Sequence, residues 1–169
     1  LLEVGTGFHP ELTGRENIFL NGAILGMKKN EIQSQLDDII YFSGVAKYIN
    51  TPIKRYSTGM KVRLGFSVAA FLPVDILIVD EVLAVGDIEF QEKALNKMNS
   101  ISLKEGKTIF IVSHNMEVIK SLTERCILIS KGKIKEDDKT DHVIDKYLSN
   151  FTKSNNSPNQ VLVESLWSP

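Results

Sequence analysis

Ile76-Leu77-Ile78-Val79-Asp80-Glu81 is an unalternating apolar run that ends in two adjacent carboxylates. Apolar side chains at every position suit a strand buried on both faces, as in a parallel sheet covered by helices. Thr108-Ile109-Phe110-Ile111-Val112-Ser113 is a second run of this kind, and Cys126-Ile127-Leu128-Ile129 reads as a third strand. Ile88 to Leu103 reads as a helix, closed by the Glu105-Gly106-Lys107 turn, and Asn115 to Thr123 as another. The order strand, helix, strand, helix, strand predicts an α/β fold with a parallel sheet.

Upstream the pattern is helical. Thr13-Gly14-Arg15-Glu16 has the spacing of a capping box, which predicts a helix from about Gly14 through Leu25 that Gly26 stops. A second amphipathic helix begins at Lys29 or Asn30, with Ile32, Leu36, Ile39, Ile40 and Phe42 on its apolar face. Thr51-Pro52 and Lys54-Arg55 form a connector, and a third helix from Gly59 to Leu72 ends at Pro73, which cannot extend the ladder. Downstream, Ser130-Lys131-Gly132-Lys133 predicts a hairpin turn and Asp141 to Leu148 a final helix. From Ser149 the Asn, Ser, Lys and Pro content reads as a linker. Asn159 to Trp167 alternates like a strand, which opens either a further β domain or a disordered end. The predicted organisation is a helical subdomain at about 12–72, an α/β core at about 73–135 and a C-terminal helix at about 141–148, followed by 149–169 as linker or start of a β domain.

Composition sets limits on partners. The chain is 43% hydrophobic and 24% charged, enough apolar material for one core. Lys plus Arg number 20 against 21 Asp plus Glu, a net charge of -1, so no global field draws the protein to nucleic acid. The most apolar stretch, Gly65 to Val85, is interrupted by Pro73, Asp75, Asp80 and Glu81 and is no spanning helix. Membrane association therefore has to pass through a protein partner. Cys126, the single cysteine, excludes an internal disulfide and reads as a small buried residue of a strand. The chain opens Leu1-Leu2-Glu3 without Met or a signal-like segment, which predicts a fragment starting inside a domain.

Three short stretches carry chemistry. Asp80 and Glu81 stand at the carboxyl end of a buried strand, where open α/β sheets place ligands. Successive strand side chains point to opposite sides, so Asp80 suits a Mg²⁺ ion held with a nucleotide and Glu81 an attacking water. A solvated strand exit is the plain alternative. His114 follows the next strand, where a neutral imidazole can hydrogen-bond a phosphate or the reaction-centre water; a strand-end histidine also serves as a structural hydrogen-bonder. Tyr56-Ser57-Thr58-Gly59-Met60 opens a helix whose unpaired amides and Ser57 hydroxyl make an anion site, with Gly59 permitting close backbone approach. An ordinary Ser cap is the simpler alternative. Together the three describe a nucleoside-triphosphate site, yet no Gly-x-x-x-x-Gly-Lys-Ser/Thr phosphate loop occurs among the 169 residues.

In this order and spacing the motifs resemble those of the ATP-binding cassette (ABC) ATPases, over about Leu1 to Lys135. Ser57-Thr58-Gly59-Met60 looks like the family signature, Ile76 to Glu81 like Walker B with its catalytic glutamate, Leu83-Ala84-Val85-Gly86-Asp87 like the D-loop, and His114 like the switch histidine. Phe8-His9-Pro10-Glu11-Leu12-Thr13-Gly14-Arg15-Glu16-Asn17, the Tyr-Ser-Thr-Gly-Met signature and the Val-Gly-Asp D-loop look more narrowly like ATPases of bacterial polysaccharide, O-antigen and teichoic-acid exporters. Thr58 and Met60 depart from the usual Ser-Gly-Gly-Gln, and Glu3 is the nearest candidate for the Q-loop's metal-binding role.

The resemblance implies a P-loop NTPase fold without its Walker A strand, loop and helix, using ATP and Mg²⁺. It implies a head-to-tail pair of ATPase subunits, in which Ser57, Thr58, Gly59, Met60 and Asp87 meet the nucleotide across the dimer seam. Asp80, with Glu3, would then hold the metal, and Glu81 and His114 would be catalytic. It further implies transmembrane permease partners, contacted through the helical arm from Leu12 to about Arg55, and a peripheral location on the cytoplasmic face of a bacterial membrane. Alone, the fragment is expected to be inactive and prone to aggregation. A non-transport ABC ATPase and a degenerate subunit that only donates its signature are the rival readings.

Overall fold

A computed structural model of the 169-residue chain describes residues 7–80, 86–153 and 160–166. Among the described residues two compact units emerge, one comprising 7–74 with 86–94, the other 75–80, 95–153 and 160–166.

The first unit is helical: α1 (Gly14–Ile24), α2 (Lys29–Ser43), two 3-10 turns at Ala46–Tyr48 and Ile53–Arg55, α3 (Thr58–Ala70), and the first turns of α4 (Ile88–Glu105). The capping box starts α1 as its spacing predicts. The Glu16 amide donates to Thr13 Oγ1 at 3.2 Å, while the Thr13 hydroxyl and amide donate to Glu16 Oε2 at 2.7 and 2.8 Å and hold that carboxyl below its ordinary pKa. Asn17 is fully buried; its amide nitrogen donates to the carbonyls of His9, Leu12 and Thr13, while its oxygen accepts from the His9 amide at 2.7 Å. One side chain thereby satisfies the turn that leads into α1. Gly26, at φ 93°, ends the helix where expected.

On α2 the predicted face packs inward, with Ile32, Leu36, Ile39 and Ile40 buried and Phe42 half-buried. Phe42 joins an aromatic cluster with Phe66, Phe71 and Phe90, at centroid distances of 6.3, 5.9 and 5.7 Å. Offset and edge contacts of this kind add to area burial.

The second unit holds a five-stranded sheet with β1 (Ile76–Asp80), β2 (Thr108–Val112), β3 (Arg125–Ser130), β4 (Lys133–Lys139) and β5 (Gln160–Leu166), in the order β1-β2-β5-β3-β4. Helices α5 (Met116–Leu122) and α6 (Thr140–Lys153) accompany it. β1 and β2 pair in parallel, and β3 shares their direction because β5 runs antiparallel to both β2 and β3. The hairpin turn places Lys131 and Gly132 at φ 51° and 70°, the two positive values a two-residue type I′ loop needs. Cys126 is buried with Leu128, Ile119, Val143 and Ile144, as its place in a strand implied.

Three expectations change. β1 is not covered on both faces: Leu77 and Val79 are buried, but Ile76 and Ile78 are 58% and 39% exposed. An all-apolar run permits double burial, but only one face of β1 is packed by described residues. The linker does not begin at Ser149, because α6 continues to Lys153. No Gly or Pro lies between Thr140 and Lys153, and a polar composition alone does not break a helix. The alternating tail forms neither a separate domain nor a disordered end within 160–166; it pairs with β2 and β3 in the same sheet. Among the described residues no helix is long and apolar enough to cross a membrane.

Gly14 opens α1 under close constraint, since an added Cβ would lie 2.3 Å from Tyr56 Oη and 3.2 Å from Ile49 Cδ1. Gly14→Ala should therefore destabilise by about 1–3 kcal/mol, the usual range for overpacking, despite alanine's better helix propensity. Urea unfolding followed by helical circular dichroism checks this, and an unchanged or higher midpoint refutes it.

Candidate nucleotide site

The start of α3 is set by what precedes it. Amides of Ile53 and Lys54 donate to the carbonyls of Leu12 and Pro10 at 2.9 and 3.0 Å, laying the connector along the entry to α1. Tyr56 then turns inward, 5% exposed, and its hydroxyl donates to the Tyr48 carbonyl at 2.7 Å. Burial pushes the phenol above its ordinary pKa. With Tyr56 held, Ser57 takes extended backbone and caps α3, its Oγ accepting from the Met60 amide at 3.2 Å.

That cap serves Met60 and leaves the amides of Thr58 and Gly59 without an intrahelical acceptor at the positive end of the helix dipole. Ser57 and Thr58 are exposed; Gly59 and Met60 are half-buried. Packing among the described residues gives Gly59 no reason to be glycine. Among the described residues, its chain neighbours and the helix's own backbone aside, an added Cβ would come within 4 Å of Ser57 Oγ alone, at 3.9 Å, whereas Cβ atoms at Gly14 and Gly22 would meet packed side chains at 2.3 and 2.9 Å. A glycine in a helix costs about 1 kcal/mol relative to alanine, so Gly59 suits an approach from outside the chain.

Farther along the helix, Arg63 forms an ion pair with Asp87, and its guanidinium lies 5.4 Å from the Phe90 ring centroid. Asp87 also caps α4, its Oδ1 accepting from the Phe90 amide at 3.0 Å. Asp87 thus has a structural role at the start of α4, and its exposed position leaves the seam role open to it. Arg63 went unnoticed in the sequence because its partner lies 24 residues away and no local spacing links them.

In the sheet unit, register brings two candidates to one edge. Asp80 ends β1 opposite Val112 of β2, so Ser113 and His114 leave the neighbouring strand just past it. Asp80 is half-buried and His114 exposed, and the Ser113 hydroxyl accepts from the Asn115 amide at 3.0 Å while Asn115 caps α5. Strand ends of parallel sheets are where open α/β folds bind ligands. A single half-buried carboxylate at such an edge fits magnesium, which takes one or two carboxylates and completes its shell with phosphate and water oxygens. Glu81 and Glu3 lie outside the described residues, as do Leu83, Ala84 and Val85 of the D-loop-like stretch. Among the described residues no group of three or more His, Cys, Asp and Glu side chains is gathered as for a metal.

Comparison with known proteins places these features in a family context. An O-antigen export system ATP-binding protein, RfbB, of Klebsiella pneumoniae is 46% identical over 147 residues, covering 87% of this chain and 59% of the relative. A teichoic acids export ATP-binding protein, TagH, of Enterococcus faecalis is 40% identical over 147 residues, covering 87% of this chain and 33% of the relative. The chain thus spans between a third and three-fifths of these relatives. Among solved structures, an ATP-binding subunit of an ABC transporter superposes with a TM-score of 0.72 at 19% identity, over 83% of this chain and 58% of that one. A dimeric ATP-binding cassette bound to ADP and Pi, in a post-hydrolysis state, gives 0.67 at 20% identity, over 82% and 61%. At such identities the likeness is one of fold. No family model matches the chain.

Two substitutions separate the cap from the glycine. Ser57→Ala should lower stability by about 1 kcal/mol through loss of the cap. Gly59→Ala should leave it unchanged or raise it by up to about 1 kcal/mol. Paired urea titrations decide, and a destabilised Gly59→Ala would reveal a packing constraint at that position.

Proposed function

The chain belongs to the ATP-binding cassette ATPases, and we propose on that basis that the intact protein hydrolyses ATP to power export of a cell-surface polysaccharide or teichoic acid through a transmembrane partner. The relatives named as O-antigen and teichoic-acid export ATP-binding proteins support this choice of cargo. The observation that carries the nucleotide role is Gly59, a helical glycine with an open flank beside two unpaired amides and the Ser57 hydroxyl.

In this reading two copies stack head to tail. Ser57, Thr58, Gly59 and Met60 of one copy approach the γ-phosphate of ATP carried by the other, and Asp87 lies at the seam. Thr58 and Gly59 supply amide donors, Ser57 a hydroxyl, and the α3 dipole a favourable field for negative charge. The sheet edge supplies the rest. Asp80, with Glu3 from the preceding stretch, holds the metal; Glu81 accepts a proton from the attacking water, and His114 hydrogen-bonds the γ-phosphate. When bound, Mg²⁺ neutralises charge on the phosphate oxygens. Closure of the two copies aligns these groups, since phosphoryl transfer is catalysed chiefly by positioning and electrostatics. Residues 12–55 form the arm that meets the membrane partner at the cytoplasmic face, with residues 73–135 as the α/β core. No role for nucleic acid enters this reading.

Steady-state ATP hydrolysis by the intact protein tests it. Glu81→Gln should abolish turnover, and Gly59→Ala should reduce kcat about a hundredfold or more, the scale of losing a transition-state donor, without loss of stability. Hydrolysis that survives Gly59→Ala at the wild-type rate overturns the assignment of the α3 start to the phosphate.

A further inference from the structure

We propose that Arg63 is a positioning residue that clamps the nucleotide-facing helix α3 to the Asp87 loop, so that the two move as one body. The inference rests on the function proposed for Ser57–Met60 and Asp87.

The geometry is a three-way junction. The Arg63 guanidinium pairs with Asp87 Oδ2 and lies over the Phe90 ring, while Asp87 Oδ1 accepts from the Phe90 amide. Asp87 is therefore held from two directions, by the middle of α3 and by the first turn of α4. Phe90 in turn is fixed from below. It is 4% exposed, with centroids 5.7 Å from Phe42 and 5.8 Å from Phe66, and Phe66 belongs to α3 itself. Gly86 completes the loop at φ 109°, where an added Cβ would reach Phe90 Cδ1 at 3.2 Å.

Stability alone gives a weak reason for this arrangement. Arg63 and Asp87 are 27% and 57% exposed at their side chains, and ion pairs this open contribute little to folding. Position is the stronger reason. Arg63 lies six residues beyond Ser57 on one uninterrupted helix. A displacement of the Ser57–Gly59 end on meeting a phosphate therefore carries Arg63, and Arg63 carries Asp87. A planar guanidinium can pair with a carboxylate and stack on a ring at once, which an ammonium does less well.

The test uses the intact protein with Arg63→Lys, Arg63→Ala, Asp87→Asn and the Arg63→Ala/Asp87→Asn double variant. The clamp predicts that each single variant lowers kcat for ATP by about tenfold or more, with KM changed by less than about threefold and a melting midpoint near that of the wild type. The double variant should be no slower than the worse single variant, because both remove one linkage. Losses that multiply, an Arg63→Ala enzyme with wild-type kcat, or losses that track the melting midpoint overturn it. Hydrogen exchange gives a readout independent of turnover: the Phe90 amide should lose protection in Arg63→Ala, and unchanged protection also overturns the clamp. A wild-type protein that hydrolyses no ATP would sink the proposed function, whereas an active wild type with an indifferent Arg63 would sink only the clamp.

Discussion

The Tyr56 hydroxyl reaches the Tyr48 carbonyl across 2.7 Å, in space that exists because residue 14 has no side chain. That buried bond decides where the connector stops and α3 begins. Tyr56 cannot rotate outward without exposing its ring and giving up this bond, so the next residue, Ser57, is delivered in the extended conformation a cap requires. The capping box of α1, the backbone bonds from Ile53 and Lys54 to the Leu12 and Pro10 carbonyls, and the Asn17 amide all brace the same corner. The candidate phosphate contacts are thus mounted on a supported helix end.

Within the sheet unit, a different device does the placing. Parallel pairing of β1 with β2 in the register Asp80 to Val112 aligns the ends of two strands, so that residues 32 or more positions apart in sequence leave the sheet side by side. Asn115 immediately redirects the chain by capping α5 with bonds to the Glu117 and Val118 amides at 3.0 and 3.3 Å. The Ser113–His114 step is therefore short and confined between a strand and a cap. Elsewhere the unit is held by the buried cluster around Cys126 and Leu128 and carries electrostatically modest surface pairs, such as the two-pronged Arg125–Asp137 contact, which holds the Asp137 carboxyl below its ordinary pKa.

Much of this was legible in residue order. Local rules, each acting over fewer than about five residues, located the helix starts and stops: the Thr13/Glu16 box, the stop at Gly26, the break before Pro73 and the Lys131-Gly132 turn. Periodicity identified the buried side of α2 and the strand character of Ile76 to Asp80. The motifs at 57–60, 76–81 and 114 were visible because phosphate chemistry demands particular residue types at short spacings.

Tertiary structure decided what no short window contains. Apolar runs announce that β1 is a strand, but only packing shows Leu77 and Val79 covered and Ile76 and Ile78 exposed. An alternating tail announces a strand, but its partners, β2 and β3, are chosen by backbone pairing with segments far upstream. The Arg63, Asp87 and Phe90 junction and the clearance between Gly14 and Tyr56 are invisible in order alone. Propensity and capping are local free energies written into neighbouring residues, whereas burial and long-range charge pairing exist only after distant segments have met.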